Sequence, residues 1–270
     1  MLGAAGKSTS FMDNILRICT WNIHFGFQLQ NILEQIQLHS EFSGLDLLAL
    51  QEASNQNGVN DAELISQTLG EDYQYYQVPA NIKKGHPQIN ALIWNTRSFQ
   101  VTSKEHLILP DAQTTAVSFR DKLLHKVLRS GFRNGLFVEG TFYNKTVRVC
   151  VTHLSLHGRN QKLAQFKYIL ENFTQRNPTE ISIIAGDFNT YTLIKRLKSK
   201  NQTFLQPEGK VAGFDDITTD IAWTFHYPRL RMLQKLDAIF VKPTPKTYHS
   251  WSFSIPGSDH MPVFANITLV

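Results

Sequence analysis

Cysteine is nearly absent from this chain, with two residues in 270, Cys19 and Cys150. Each lies within a short apolar run, LRICTW around Cys19 and VRVCVTH around Cys150. Runs of this kind form buried strands, in which a free thiol behaves as a small apolar side chain. The sequence therefore predicts two buried free thiols rather than a disulfide, and it fits a reducing compartment.

The chain also lacks the apolar stretches used in membrane insertion and secretion. No run approaches the roughly 20 apolar residues that a membrane-spanning helix needs. The first ten residues are not followed by the apolar core of a secretory signal. We therefore expect a soluble protein, and a cytoplasmic location is favoured.

Several common catalytic patterns are missing as well. No GxxxxGK[ST] sequence occurs, which excludes a P-loop. Ser155 does not lie in a G-x-S-x-G motif, which counts against an α/β-hydrolase triad. Two distant cysteines, with no His/Cys pair at finger-like spacing, give no tetrahedral zinc site.

The composition is that of a globular protein, with 42% hydrophobic and 18% charged residues. No repeat or Pro/Gly/Ser-rich linker divides it, so we predict a flexible N-terminal segment over residues 1–14 and one domain over residues 15–270. No feature indicates an obligate protein partner, and a monomer is expected. The net charge of +5 suits a phosphate-bearing partner, but an ordinary basic surface explains it equally well.

Short apolar runs alternate with amphipathic segments, which predicts an α/β protein. The predicted strands are Ile15–Thr20, Leu45–Leu50, Ala91–Trp94, Val147–Thr152, Ile181–Ala185, Leu236–Val241 and Val263–Leu269. The clearest predicted helix is Arg159–Phe173, and the others are Asn31–Leu38, Asp61–Leu69 and Thr192–Lys198. A basic helix is one interpretation of Pro110–Asn134.

Polar side chains recur where the apolar runs end, which is where open α/β sheets place functional groups. These residues are Asn22, Glu52, His153, Asp187, Asn189 and the pair Asp259 and His260. Each one has a simpler explanation as a helix cap, a turn residue or a structural histidine. Their repetition in one chain favours a shared site instead.

The chemistry of these residues points to a metal-assisted hydrolase. Glu52 ends a run so apolar that its charge must be paired, hydrated or bound to a cation. A hard cation such as Mg²⁺ prefers oxygen ligands and needs only one or two carboxylates. His260 could act as a general base if a carboxylate such as Asp237 held its tautomer.

In their order, these motifs resemble the endonuclease/exonuclease/phosphatase superfamily, which includes DNase I. The resemblance runs from Ile15 to the C-terminus. The motifs are TWN (Thr20–Asn22), LQE (Leu50–Glu52), THL (Thr152–Leu154), GDFN (Gly186–Asn189), LDAIFV (Leu236–Val241) and SDHMPV (Ser258–Val263). The stretch THLSLHGRNQKLAQ is similar to the sphingomyelinase-like and uncharacterised bacterial members.

The resemblance implies a four-layer α/β sandwich, in which two mixed sheets pack face to face with helices outside, and Mg²⁺ or Mn²⁺ as cofactor. It implies that Glu52 is the principal metal ligand, with Asn22 and Asp259 contributing to the same or a neighbouring position. Asp187 and Asn189 would orient the attacking water and the phosphate. The general base would be His260 supported by Asp237.

His153 would then bind or protonate the phosphate. Arg133 and Asn134, at the end of the basic segment, are predicted to contact the substrate. The implied activity is a phosphodiesterase acting on nucleic acid or on a phospholipid headgroup. Two alternatives stay open: a phosphomonoesterase of inositol phosphates or nucleotides, and a catalytically idle binding module of the same fold.

Overall fold

Two six-stranded sheets form the frame of the molecule in this computed structural model. The structure describes residues 14–56, 58–83, 86–111, 132–156, 158–190, 204–227 and 232–269. The first sheet contains, from edge to edge, β15 (Tyr248–Ser252), β16 (Val263–Thr268), β1 (Ile15–Asn22), β2 (Leu47–Ala53), β6 (His86–Asn95) and β5 (Tyr73–Lys83). The second contains β11 (Asp215–Asp216), β14 (Asp237–Lys242), β10 (Ile181–Asp187), β9 (Lys145–His153), β8 (Arg133–Phe142) and β7 (Phe99–Leu109).

Both sheets are mixed. In the first, β1 and β2 run parallel while their other neighbours are antiparallel. In the second, β9 and β10 are the parallel pair. Two small hairpins complete the strands: β3 (Asn55–Gln56) with β4 (Val59–Asn60), and β12 (Phe225–Tyr227) with β13 (Met232–Gln234).

Apolar side chains alternate along the strands and so bury both faces of each sheet. Leu16 and Ile18 of β1 point toward the second sheet and meet Val149 and Ile183 in the core between the sheets. The intervening residues of β1 face outward. The molecule therefore has an inner core and two outer ones.

Helices cover the outer faces. On the first sheet lie α1 (Leu29–Leu38) and α2 (Asp61–Leu69). On the second lie α3 (Arg159–Gln175) and α4 (Gln206–Val211), with Phe166, Ile169 and Phe173 of α3 packed on the sheet. The predicted four-layer α/β sandwich is confirmed. Among the described residues, no helix has both the length and the apolar character required to cross a membrane.

Most of the predicted elements are found, with longer strands than the apolar runs indicated. All seven predicted strands are present, and β1, β2, β9 and β10 continue through the polar residues that follow their apolar cores. The predicted helices at Asn31, Asp61 and Arg159 are present as α1, α2 and α3. Cys19 and Cys150 are buried free thiols under the two outer layers.

The prediction of a basic helix over Pro110–Asn134 is wrong at the C-terminal end of that segment. Arg133 and Asn134 begin strand β8 and pair with Leu109 and Ile108 of β7. Residues 112–131 of that segment lie outside the described residues. The predicted helix over Thr192–Lys198 also lies outside them, as do residues 1–13 of the predicted N-terminal segment.

Candidate active site

The strand ends that carry the predicted site residues meet at one edge of the sandwich. There the two sheets border a cleft of about 300 Å³. Register explains the meeting, because Asp187 at the end of β10 lies beside His153 of β9 on one side and Asp237 of β14 on the other. The cleft is lined by Asn22, His24, Phe25, Glu52, Arg133, His153, Leu156, Asp187, Asn189, Phe225, Leu236, Asp259 and His260.

Gly186 allows Asp187 to reach this position. Its φ of +153° and its contact with β9 leave no room for a side chain, since a Cβ atom would lie 1.9 Å from the carbonyl oxygen of Thr152. The strand therefore approaches its neighbour closely just before the site and then turns. Glycine is the residue that tolerates both conditions.

Replacement of Gly186 by alanine is expected to lower the free energy of unfolding by about 3 kcal/mol or more, because backbone atoms must move. Chemical denaturation measures this loss. Gly58→Ala is the control, since Gly58 also has a positive φ, of +77°, but nothing lies within 4 Å of its added Cβ. It should lose only about 1–2 kcal/mol, the backbone cost alone. Equal losses in the two variants would contradict the close approach.

Asp187 lies at the centre of the polar cluster. Its Oδ2 accepts a hydrogen bond from Asn22 Nδ2 at 3.0 Å and lies 3.4 Å from His153 Nε2 and 3.8 Å from His260 Nε2. Its Oδ1 accepts the backbone N–H of Asn189 at 2.8 Å. Burial raises the pKa of Asp187 to about 7. Three side chains from three other elements thus converge on one carboxylate oxygen.

His260 and Asp237 form a buried pair. The Nδ1 of His260 lies 2.8 Å from Asp237 Oδ2, which also accepts a hydrogen bond from the Thr224 hydroxyl at 2.7 Å. Burial alone would lower the pKa of His260, but the nearby carboxylates of Asp237 and Asp187 outweigh it and raise the pKa to about 10. The pair fixes Nδ1–H on the Asp237 side, so Nε2 faces Asp187.

Glu52 occupies a strained position. Its φ is +54°, a conformation that a non-glycine residue rarely adopts, and the pairing of β2 with β6 is irregular between Leu50 and Ala53. The irregularity directs Glu52 into the cleft. There its Oε1 accepts a hydrogen bond from Gln88 Nε2 at 2.8 Å. Strain of this kind concentrates at functional sites.

His24 contacts both Asn22 and Asp259 at the wall of the cleft. The backbone N–H of His24 donates to Asn22 Oδ1 at 3.0 Å, and His24 Nδ1 lies 3.7 Å from Asp259 Oδ1. Residues 24–26 form a tight turn in which all three φ values are positive. Gly26 in this turn lies close to the Asp61 carboxylate. A Cβ atom added at residue 26 would lie 2.2 Å from Asp61 Oδ2.

The donor set fits a hard divalent cation. Three carboxylates, those of Glu52, Asp187 and Asp259, line the cleft, while Arg133 is the only lysine or arginine among its described lining residues. Oxygen donors in excess of positive charge are the environment that Mg²⁺ and Mn²⁺ prefer. Asn22 Oδ1 could add a neutral oxygen ligand.

A second group of possible ligands is Asp187, Asp237 and His260, whose ligand atoms lie within 4.8 Å of one another. Asp237 Oδ2 already accepts two hydrogen bonds, from His260 and Thr224. A cation on that oxygen would have to displace one of them. Binding of a cation at Glu52 and Asp259 would leave the hydrogen bond between His260 and Asp237 intact.

The structure brings nine of the ten predicted site residues to this cluster. Eight line the cleft, and Asp237 lies behind His260. Asn134 does not join them, since its side chain bonds to Asn90 and to the carbonyl oxygens of Val78 and Pro79. Adjacent residues on a strand point to opposite faces, so Arg133 and Asn134 cannot both reach the cleft.

Six further residues at the site were not among the predicted site residues: His24, Phe25, Gln88, Leu156, Phe225 and Leu236. His24 and Phe25 follow TWN directly, and this proximity was a usable signal. Phe225 lines the cleft with its ring 4.9 Å from that of His260. Gln88 is almost completely buried and touches Glu52 and His153. Nothing in the local sequence around Gln88 indicates this role.

Comparison with solved structures places the fold among known ones. An endonuclease/exonuclease/phosphatase family protein from Bacteroides thetaiotaomicron matches with a TM-score of 0.67 and 16% identity, covering 95% of this chain and 98% of that one. The mannosyl-6-phosphatase Bt3783 of the same organism matches at 0.65 and 15%, covering 93% and 98%. D. rerio TDP2 complexed with single strand DNA product matches at 0.65 and 17%, also covering 93% and 98%.

A search of curated protein sequences found no match to this chain. The profile of the Endonuclease/Exonuclease/phosphatase family, however, matches residues 19–260, which include all ten predicted site residues. The chain therefore belongs to the Endonuclease/Exonuclease/phosphatase family, whose members hydrolyse phosphoester bonds and generally depend on a divalent metal.

Proposed function

We propose that this chain is a divalent-metal-dependent phosphodiesterase acting on nucleic acid or on a phospholipid headgroup. The observation that carries the proposal is the convergence of Glu52, Asp187 and His260, from separate strands and loops of both sheets, on one cleft. An acid cluster beside a carboxylate-supported imidazole is the equipment that attack by water on a phosphorus centre requires.

The charge of the cleft favours a diester over a monoester. A phosphodiester carries one negative charge, and a phosphomonoester carries close to two at neutral pH. Arg133 is the single lysine or arginine among the described residues of the cleft wall. The carboxylates of the cleft already offset charge on a bound cation. One guanidinium and one cation therefore balance a monoanion better than a dianion.

Glu52, Asp259 and Asn22 would hold the cation. Once bound, it would offset the negative charge of a non-bridging phosphoryl oxygen in the transition state. The remaining work falls to the protein. Arg133 and His153 donate hydrogen bonds to the phosphoryl group, and the amide of Asn189, tethered to the Leu154 carbonyl at 2.9 Å, orients it.

His260 accepts the proton of the attacking water at Nε2. Asp237 holds the imidazole in the correct tautomer and stabilises the imidazolium that forms. The carboxylates of Asp237, Asp187 and Asp259 raise the pKa of His260 to about 10, so a cation bound at Asp259 would bring that pKa toward neutrality.

Purified protein is expected to release nitrophenol from bis-p-nitrophenyl phosphate in Mg²⁺ or Mn²⁺, and EDTA is expected to abolish the release. Absorbance at the nitrophenolate band measures the rate. Restored metal should return the activity. Failure of turnover across a broad substrate panel, with metal binding demonstrated by calorimetry, would favour the idle binding module instead.

A panel of natural substrates separates the remaining possibilities. It contains supercoiled plasmid, an abasic duplex, sphingomyelin, phosphatidylglycerol and inositol phosphates, each with and without EDTA. Faster turnover of a diester from nucleic acid or lipid supports the proposal. Faster turnover of the inositol phosphates supports a phosphomonoesterase.

A further inference from the structure

Gln88 connects the metal side of the cleft to its phosphate side. It lies on β6 with 1% of its surface exposed. Its Nε2 donates to Glu52 Oε1 at 2.8 Å and lies 3.4 Å from His153 Nδ1. Its Oε1 accepts a hydrogen bond from Arg133 Nη1 at 2.8 Å. One buried amide thus touches three residues of the proposed machinery.

The chemistry of the neighbours fixes the orientation of this amide. A guanidinium can only donate, so the oxygen of Gln88 must face Arg133. An ionised carboxylate can only accept, so the NH₂ group must face Glu52. Rotating the amide by 180° would place oxygen against oxygen and donor against donor. The assignment therefore follows from the partners and not from atom labels alone.

This orientation determines the proton on His153. The NH₂ group of Gln88 lies 3.4 Å from Nδ1, closer than the Glu52 carboxylate oxygen at 4.0 Å, and a ring nitrogen that faces a donor is held as the unprotonated acceptor. The proton of a neutral His153 then lies on Nε2, the nitrogen directed at Asp187 Oδ2, 3.4 Å away. On the cleft side His153 is consequently a hydrogen-bond donor.

The two histidines of the cleft are therefore prepared in opposite ways. His260 has a carboxylate behind Nδ1, which keeps the proton there and leaves Nε2 able to accept. His153 has an amide donor behind Nδ1, which leaves Nε2 able to donate. Because the partner of Nδ1 is a carboxylate in one histidine and an amide in the other, Nε2 of His260 can accept a proton and Nε2 of His153 can donate one.

We propose that Gln88 is a positioning residue that holds His153 in its Nε2–H tautomer, so that His153 donates a hydrogen bond to a phosphoryl oxygen while His260 accepts the proton of water. The clause about the phosphoryl oxygen rests on the proposed function; the tautomer does not. Gln88 does this without touching the substrate, through directed hydrogen bonds from a side chain that carries no charge.

The first test is the two-bond ¹H–¹⁵N spectrum of the histidine rings in the full-length protein at neutral pH. The His153 signals are assigned by their loss in His153→Asn. A protonated Nε2 and an unprotonated Nδ1 are expected for His153. A proton on Nδ1 of His153 overturns the proposal, and this result does not depend on turnover.

The second test compares Gln88→Glu with Gln88→Met. Glutamate keeps the shape but replaces the donor by an acceptor, so the proton of His153 is expected to appear on Nδ1. Methionine keeps the volume without hydrogen bonds, so both tautomers are expected to be present. With bis-p-nitrophenyl phosphate, kcat should fall about 10-fold in the methionine variant and about 100-fold in the glutamate variant, the range for loss of an outer-shell partner.

Gln161→Met is the matched control, because Gln161 is an equally buried amide on α3 that donates to the Pro110 carbonyl. Its His153 signals and its kcat should match those of the wild type. Unchanged His153 signals in both Gln88 variants overturn the proposal. If the wild type has the expected tautomer but hydrolyses no phosphoester, the proposed function fails and the role of Gln88 in fixing the tautomer stands.

Discussion

Replacement of His260 by alanine is expected to reduce kcat by about 10²–10⁴-fold, the contribution typical of a positioned general base. The imidazole is the group that Asp237 orients at 2.8 Å, and its Nε2 faces the Asp187 carboxylate. Metal affinity should stay near that of the wild type, because His260 is not part of the oxygen donor set at Glu52 and Asp259. Steady-state kinetics and isothermal titration calorimetry with Mn²⁺ measure the two quantities separately.

His106→Ala is a suitable control, since His106 is an exposed residue on the edge strand β7 and does not line the cleft. Neither kcat nor metal affinity should change. Loss of metal binding in His260→Ala equal to that caused by removing a carboxylate would mean that His260 is itself a ligand. In that case the division between the general base and the metal ligands would be incorrect.

The sequence predicted the positions of the main site residues because parallel strands leave a readable pattern. Asn22, His153 and Asp187 each end an apolar run, and in a sheet the ends of adjacent parallel strands share one edge. The two parallel pairs, β1 with β2 and β9 with β10, are the strands that carry most of the cluster. The packing of the two sheets face to face then brings the ends of these two strand pairs together.

The backbone detail at Glu52 could not be predicted in this way. The run LDLLALQ indicated a strand that ends near Leu50, yet the strand continues to Ala53 through an irregular pairing with β6. Such irregularities depend on the partner strand, which is distant in sequence. The positive φ of Glu52 accompanies that irregular pairing. A glycine at this position would have suggested a positive φ from the sequence, but a glutamate does not.

Gln88 was missed for a related reason. Its partners Glu52, Arg133 and His153 lie 36, 45 and 65 residues away, so no local motif contains the network. A buried glutamine within a strand is also a common structural residue when its amide is bonded. Only the packing of β6 against the ends of β2, β8 and β9 distinguishes it.

Arg133 and Asn134 show the limit of a prediction made from charge. The basic residues of Pro110–Asn134 suggested a helix, but Arg133 belongs to strand β8 and enters the cleft from there. Strand geometry then excludes its neighbour, and Asn134 instead bonds to Asn90. Correct assignment of the secondary structure would have selected one of the two.

Glu52→Gln is expected to weaken Mn²⁺ binding by more than about 100-fold, since the loss of an outer-shell partner alone costs about 10–100-fold. The amide removes the charge but retains the shape, so the wild-type fold should persist. Glu34→Gln, the same change at an exposed position on α1, serves as the control and should leave the affinity unchanged. Calorimetry gives both values.

Thermal unfolding supplies a second, independent measurement of the same assignment. In EDTA, Glu52→Gln should unfold at a lower temperature than the wild type, because the buried guanidinium of Arg133 loses one of its two neighbouring carboxylates and keeps only Asp187. Saturating Mn²⁺ should then raise the melting temperature of the wild type but not of the variant, since only a bound ion stabilises the folded state. The difference between the two melting temperatures should therefore widen on addition of metal. Parallel shifts in both proteins would mean that the ion binds elsewhere in the molecule, and Glu52 would lose its role as the principal ligand.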